Sequence, residues 1–378
     1  MRIAFFADSY KPYLSGVTNS IDILAKELRN LGHRVYIFCP AYPKQIENDP
    51  DVFRFPSFAG GYPKFRLAIP LIQKIPEVDV IHLHSPFQAG LLGRFVARHR
   101  NLPLAYTFHT LFTRYVHYLP FLPESLAKMG IVNYLKFFSK KVDQIIVPSQ
   151  LAKRVLRSWK ISVPIEVVPS GVEINSPYLK DLSFHREILR EKYQIPKDIK
   201  VLMYIGRLSK EKNITFLIEA YKKLRERELE LYLVLVGGGP LAKEIKHQKL
   251  KNLILIEEVP YPKILKYYSL GDIFIFSSLT ETQGLVLAEA KAAGLPVVAL
   301  YAAGLADTVR SGIDGYLVPR NLDSFLEHIY RLLTNPDLYR QMAQAARNDA
   351  RQRLSSALVA KQIENVYNSL IIKRGESK

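Results

Sequence analysis

Ser277-Ser278-Leu279-Thr280-Glu281-Thr282-Gln283-Gly284-Leu285-Val286-Leu287-Ala288-Glu289 is the stretch on which the reading of this chain turns. It continues an apolar run of strand length, Ile273–Ser277, through a polar turn into a helical pattern. The spacing predicts a helix from near Gln283 to Ala293, with Thr282 as N-cap and with Gly294 and Pro296 as the stop. Strand, turn and helix in that order make one βα unit of a parallel sheet. The N–H groups around Gly284 and Leu285 then lack partners inside the helix, and the helix dipole favours an anion there. Gly284 has no Cβ to obstruct a phosphate. Glu289 lies about 7.5 Å along the helix from Gly284, at 1.5 Å per residue, which suits a carboxylate on a ribose with a diphosphate at the helix start. Read from these residues alone, Glu289 is equally a solvated helix residue.

Outward from this unit, short Val/Ile/Phe-rich runs alternate with helical patterns. Strands are expected at Arg2–Asp8, Arg34–Pro40, Val52–Phe55, Val80–His84, Leu104–His109, Gln144–Pro148 and Glu166–Pro169. A second series is expected at Val201–Gly206, Leu231–Val236, Leu253–Glu257, Ile273–Ser277, Pro296–Leu300 and Tyr316–Val318. Between several of them lie amphipathic helices such as Ser20–Leu31, and the last helix is expected from Ser355 to about Ile372. Runs that are apolar throughout belong to strands covered on both faces, hence to doubly wound parallel sheets. A chain of 378 residues exceeds one ordinary core, so two domains are expected. The boundary falls in Ser170–Tyr178, and a cleft at the strand C-termini is the expected binding place.

Composition is ordinary for a globular protein, with 48% apolar and 23% charged residues. One cysteine, Cys39, excludes an internal disulfide and a thiolate metal cluster and fits a reducing compartment. Nothing approaches the roughly 18 consecutive apolar residues of a membrane span, so a cytoplasmic protein is expected. The formal charge is +18, and residues up to Ser170 hold 22 Lys/Arg against 11 Asp/Glu. Solubility, an anionic membrane surface and a nucleic acid are all compatible with that excess. The excess is diffuse and no nucleic-acid recognition motif accompanies it, so nucleic acid is not an expected partner.

The second signal is Gly206-Arg207-Leu208-Ser209-Lys210-Glu211-Lys212, where two cations follow a strand. Arg207 and Lys212 can neutralise a diphosphate leaving group without a metal, the one bidentately and the other as a point charge. Surface pairing with Glu211 is the ordinary alternative.

Glu281 and Glu289 stand as Glu-x7-Glu, preceded by Arg207-x4-Lys212 and by a glycine loop at Tyr13-Leu14-Ser15-Gly16-Val17. Over essentially its whole length the chain resembles the retaining GT-B glycosyltransferases of the family 4 type, which include bacterial glycolipid and mannosyl transferases. The resemblance implies an α/β fold of two Rossmann-like, doubly wound parallel-sheet domains facing a cleft. Residues 1–172 with about 358–378 would form the acceptor- and membrane-facing domain, and residues 173–357 the sugar-nucleotide domain. It also implies that Arg207 and Lys212 hold the donor diphosphate with the backbone at Gly16, Gly284 and Leu285. Glu289 would bind the ribose, Glu281 the hydroxyls of the transferred sugar, and His109 would lie beside that sugar near C6. The backbone at Val259 would read the base, although Glu257-Glu258-Val259 stands where relatives often carry a glycine. His109, Glu281, Arg207 and Lys212 are thus the expected catalytic set, with no protein nucleophile, no metal and no cofactor beyond the nucleotide sugar.

Ser15-Gly16-Val17-Thr18-Asn19-Ser20-Ile21, Glu281–Val286, and His109-Thr110 followed by Tyr115-Val116-His117-Tyr118 resemble the members that glycosylate diacylglycerol. Arg114 departs from the acidic residue expected before that tyrosine. The implied reaction carries glucose from UDP-glucose to diacylglycerol and yields an α-glycolipid. Mannose from a guanosine donor to a phosphoinositide, or transfer to a soluble sugar, is the alternative. Ser15, Tyr115 and Tyr118 are expected to face the acceptor. In Ser125–Lys141, Lys128, Lys136, Lys140 and Lys141 alternate with Met129, Val132, Leu135, Phe137 and Phe138. Such a basic amphipathic helix suits peripheral attachment to the inner face of the cell membrane, and equally a core-facing helix with a solvated basic side. Three further patterns are set aside. Asp49-Pro50-Asp51 is a loop rather than a metal site, and Gly237-Gly238-Gly239-Pro240 is a tight turn near the donor. His82 and His84 are expected as polar lining or acceptor contacts.

Overall fold

The apolar runs of the N-terminal half become β1 (Arg2–Phe6), β2 (Arg34–Pro40), β3 (Val52–Phe55), β4 (Ser57–Ala59), β5 (Arg66–Ala68), β6 (Val80–Leu83), β7 (Leu104–Thr107), β8 (Gln144–Val147) and β9 (Ile165–Val167). Those beyond become β10 (Lys200–Ile205), β11 (Leu231–Val236), β12 (Leu253–Ile256), β13 (Ile273–Phe276), β14 (Val297–Leu300) and β15 (Gly315–Val318). Helices interleave with them: α1 (Gly16–Asn30), α2 (Gln88–His99), α3 (Glu124–Ser139), α4 (Gln150–Ser158), α5 (Pro177–Lys180) and α6 (Leu182–Lys192). They continue with α7 (Ile214–Glu226), α8 (Ala242–His247), α9 (Leu285–Ala292), α10 (Leu322–Thr334), α11 (Pro336–Arg353) and α12 (Ser356–Glu376). The structure is a computed structural model that describes residues 1–13, 15–43, 47–60, 66–69, 75–114, 116, 123–227 and 229–376.

The chain divides into two compact units, Met1–Gly171 with Ser356–Lys378, and Val172–Ser355. In the first, a parallel sheet runs in the order β3-β2-β1-β6-β7-β8-β9, and β4 and β5 form a separate antiparallel pair. One face of the sheet packs Phe6, Phe38, Leu83 and Tyr106 against apolar residues of α2, α3 and α4. The other packs Ile3, Phe5, Ile37 and Ile146 against Ile21 and Leu28 of α1 and Val359, Ile363 and Tyr367 of α12. Asp8, which follows β1, is buried and accepts hydrogen bonds from the N–H groups of Phe87 and Ala89 at 3.1 and 2.7 Å. It thereby caps α2 from a different strand, and burial raises its pKa above the usual carboxylate value.

In the second unit the sheet order is β12-β11-β10-β13-β14-β15, all parallel. Its strands are buried nearly throughout, as continuous apolar runs require. Several predicted boundaries shift. The first long helix begins at Gly16 rather than Ser20, because Ser15 is an N-cap whose hydroxyl accepts from the Thr18 N–H at 3.1 Å. β7 ends at Thr107, so His109 lies in the loop that follows. α9 begins at Leu285 with Gly284 as N-cap, and Thr282 does not cap it.

α9 is enclosed by protein, yet it carries Lys291, which is fully buried. The Lys291 ammonium donates to the Thr308 carbonyl and the Asp349 carboxylate, each at 2.5 Å, and lies 3.1 Å from Asp314. Arg310 reaches Asp314 at 2.8 Å, and Arg353 reaches Asp349 at 2.6 Å. Burial lowers the Lys291 pKa, and the two carboxylates oppose that shift. Lys291→Met leaves both buried carboxylates short of a cation. Urea denaturation is expected to show a loss of about 3–5 kcal/mol, the usual cost of breaking a buried ion pair from one side.

Candidate active site

Chain order in the second sheet reverses between β10 and β13, which lie side by side. In open parallel sheets the crevice beyond the strand C-termini at such a reversal is where ligands bind. Two loops rise there. One follows β10 and carries Arg207 and Lys212; the other follows β13 and carries Glu281 and Gly284. They are stitched together by Ser277, whose hydroxyl lies 2.9 Å from the carbonyls of Lys212 and Asn213. The Lys212 ammonium hydrogen-bonds the Glu281 carboxylate, and both side chains are about one-fifth exposed. Lys212 thus pairs across the two loops, with Glu281. Arg207 is exposed, and its carbonyl accepts from the Tyr204 hydroxyl at 3.0 Å.

The triple glycine is a matter of clearance as much as of turning. A Cβ on Gly237 would stand 2.1 Å from the Gly206 carbonyl oxygen, and one on Gly239 would stand 2.3 Å from that of Leu208. The loop after β11 therefore presses on the backbone beneath Arg207. Gly284 has φ +75°, and a Cβ there would meet Leu305 at 2.7 Å, so another residue would be strained twice over. The N-cap Gly284 offers no side chain to α9; the Leu287 N–H turns back to the Gly284 carbonyl at 2.9 Å, and those of Leu285 and Val286 are the ones a helix start presents to an anion. At its other end, the N–H of Gly294 bonds Lys291 and that of Leu295 bonds Ala290, the two bonds of a Schellman stop.

Glu289 is 4% exposed, which rules out the solvated reading. Its Oε2 accepts from the Tyr268 hydroxyl at 2.6 Å, and burial pushes its pKa up to about 7. Val259 is half-buried against the core of this unit. Tyr268 and the residues around Lys291 were invisible to sequence reasoning. Neither shares a strand or helix face with a motif whose spacing announces it.

In the first unit the sheet reverses between β1 and β6. Gly16 opens α1, and a Cβ there would meet nothing within 4 Å. Ser15 spends its hydroxyl on the cap. His109 is half-buried, with Nε2 3.1 Å from Nδ1 of His84. His82 was expected to line a binding wall, but it is fully buried between the Tyr367 hydroxyl and Thr107, 2.6 Å from each. Burial lowers the pKa of all three rings, to about 3 for His82 and about 4 for His109, which keeps them neutral. Asp49 and Asp51 pair with Arg29 and Arg34 at 2.8 and 3.0 Å. Tyr115 and Tyr118 lie outside the described residues.

On α3, Ala127, Leu135 and Phe138 turn inward, while Leu126, Met129 and Phe137 are more than half exposed. Lys128 pairs with Glu124 at 2.5 Å, Lys136 is half-buried, and Lys140 and Lys141 are exposed. Exposed Leu91 and Phe95 of α2 stand nearby, because Arg94 between them lies 5.0 Å over the Phe137 ring. No helix among the described residues is long and apolar enough to cross a membrane.

The Glu289 shift has a thermodynamic consequence. A carboxyl whose pKa rises on folding binds an extra proton between its unfolded value and about 7, so stability falls as pH rises through that window. Glu289→Gln keeps an acceptor for Tyr268 but carries no charge. Relative to the parent, it is expected to gain about 1–3 kcal/mol at pH 8 and little at pH 5, read from unfolding at both values.

Two family models match the chain: Glycosyltransferase Family 4 over residues 14–176 and Glycosyl transferases group 1 over residues 185–349. An alpha-monoglucosyldiacylglycerol synthase from Acholeplasma laidlawii is 30% identical, covering 100% of this chain and 99% of its own. A protein of the same name from Streptococcus pneumoniae is 34% identical over 79% of this chain and 71% of its own. Among solved structures, sucrose-phosphate synthase from Thermosynechococcus elongatus matches with a TM-score of 0.78 at 20% identity, covering 98% and 99% of the two chains. That likeness extends to both parallel-sheet units, which are those of the GT-B fold. With a charged pair and a helix start at the sheet reversal, and with one relative of 30% identity aligned from end to end, the chain belongs to the nucleotide-sugar-dependent glycosyltransferases of the family 4 type.

Proposed function

We propose that this chain transfers glucose from UDP-glucose to the hydroxyl of diacylglycerol with retention, giving an α-glucosyl lipid. The observation that carries the reading is the end-to-end match to a relative named alpha-monoglucosyldiacylglycerol synthase, joined to an intact charged set at the reversal of the second sheet.

The chemistry asks for little covalent help. The bond from the anomeric carbon to the phosphate oxygen breaks toward an oxocarbenium-like state, and negative charge grows on the leaving diphosphate. Arg207, Lys212 and the N–H groups opening α9 are assigned to that charge. The acceptor oxygen bonds to the anomeric carbon on the face the phosphate leaves, and its proton passes to the departing phosphate. Glu281 is engaged by Lys212 and serves the sugar hydroxyls rather than acting as a nucleophile. Glu289 is assigned to the ribose, the backbone at Val259 to the base, and Gly16 and His109 to the donor. No metal is assigned a role.

Acceptor access is assigned to the exposed surface of α2 and α3. Leu91, Phe95, Leu126, Met129 and Phe137 would enter the lipid boundary, with Arg94, Lys136, Lys140 and Lys141 over anionic headgroups. This supports peripheral association with a membrane rather than passage through it.

The decisive assay incubates the protein with labelled UDP-glucose and vesicles containing diacylglycerol and an anionic lipid. Label is expected in the organic phase. Label confined to water-soluble products would reject the lipid acceptor, and preference for a guanosine donor with phosphoinositide would select the mannosyl alternative. Lys212→Ala is expected to lower turnover by about 100-fold or more, the scale of one lost transition-state donor. Phe95→Ser combined with Phe137→Ser is expected to weaken vesicle sedimentation by about tenfold or more, given the area each ring withdraws from water. Turnover on a short-chain, dispersed acceptor should survive that change.

A further inference from the structure

Glu289 is held from one side only. Its Oε2 is 2.6 Å from the Tyr268 hydroxyl, and Oε1 makes no hydrogen bond to any described residue. Tyr268 is itself fully buried, within the 3-10 run Lys263–Leu270 that leads into β13, and its ring packs on Phe274 at 5.7 Å. The other titratable groups facing this pair are Tyr261 and, beyond it, Glu173, with Tyr204 on the far side of Tyr268. No cation is among them: Lys291, two residues along α9, is committed to Asp314 and Asp349.

The Tyr268 hydroxyl has one proton and two acceptors within reach, the Glu289 carboxylate at 2.6 Å and the Val286 carbonyl at 3.3 Å. With Glu289 ionised, the proton belongs to the carboxylate, in a charge-assisted bond. With Glu289 neutral, the carboxylic proton can be given to the tyrosine oxygen while the tyrosine gives its own to Val286. In either state Oε2 and the tyrosine oxygen keep a hydrogen bond, so the pair exchanges its proton without unfolding.

We propose that Tyr268 is a positioning residue for donor binding: by holding Oε2 of Glu289 it fixes the carboxylate plane and leaves Oε1 to accept from the ribose hydroxyls. The inference rests on the assignment of Glu289 to the ribose. Because the Tyr268 hydroxyl donates to Oε2, the bond favours the ionised carboxylate, and donor affinity is expected to fall with pH as that carboxylate takes up a proton.

UDP is the probe. Its binding is measured by calorimetry at pH values on both sides of neutrality for the parent, Tyr268→Phe, Glu289→Gln and the double variant. Tyr268→Phe keeps the ring on Phe274 and is expected to bind UDP about tenfold more weakly near neutral pH. The midpoint of its affinity-pH curve is expected to move upward, a displacement that a partly unfolded sample would not produce. Glu289→Gln is expected to lose affinity and most of the pH dependence, and adding Tyr268→Phe to it should change little further. Parent-like affinity and midpoint in Tyr268→Phe, with Glu289→Gln weakened, would overturn the role of Tyr268 alone. An equal Tyr268→Phe loss in both backgrounds would reduce it to packing and likewise overturn it. Undiminished UDP binding by Glu289→Gln would instead remove the ribose assignment.

Discussion

Everything at the second sheet's reversal depends on how α9 is held. A helix enclosed by protein cannot leave an ammonium unpaired, because desolvating a charge costs several kcal/mol. Lys291 therefore fixes the rotation and height of α9 against the strand of chain around Thr308 and Asp314 and against Asp349 of α11. Once that is set, Glu289 must face Tyr268, and the helix start must come where Gly284 turns. The glycine, the carboxylate and the free N–H groups are thus placed by an ionic contact that none of them makes.

The two loops bearing the charged set follow the same logic on a smaller scale. Backbone is brought against backbone wherever a side chain would intrude. Gly237 and Gly239 lie under Gly206 and Leu208, and Gly304 lies against the Glu281 carbonyl, where a Cβ would stand 2.1 Å away. Such contacts leave little freedom to the loops that carry Arg207, Lys212 and Glu281. A rigid mount suits electrostatic stabilisation, which loses its value when dipoles and charges must reorganise during the reaction.

Much of this was legible in the residues. The apolar runs at Val201–Gly206 and Ile273–Ser277 announce buried parallel strands, and Gly294 with Pro296 announces the end of α9, because those signals are local. What escaped notice was non-local. Thr282 reads as an N-cap because its type and place fit, but Gly304 and Leu305 pack against that turn and delay the helix to Leu285. Ser15 caps α1 five residues before Ser20, where the apolar pattern becomes regular. His82 and His84 alternate along one strand like wall residues, yet a tyrosine 285 positions later covers the first of them. Glu289 kept two readings until burial decided between them, and burial is a property of the whole unit.

That distant tyrosine has a bearing on biosynthesis. α12 supplies Val359, Ile363 and Tyr367 to the core beneath β1 and β2, and it is made only after the whole of Val172–Ser355. During translation the first sheet must wait with one apolar face covered by α1 but not by α12 while a complete second unit is built behind it. The unit that starts first is the one that finishes last, and for that interval its exposed face is open to chaperones and to mispairing.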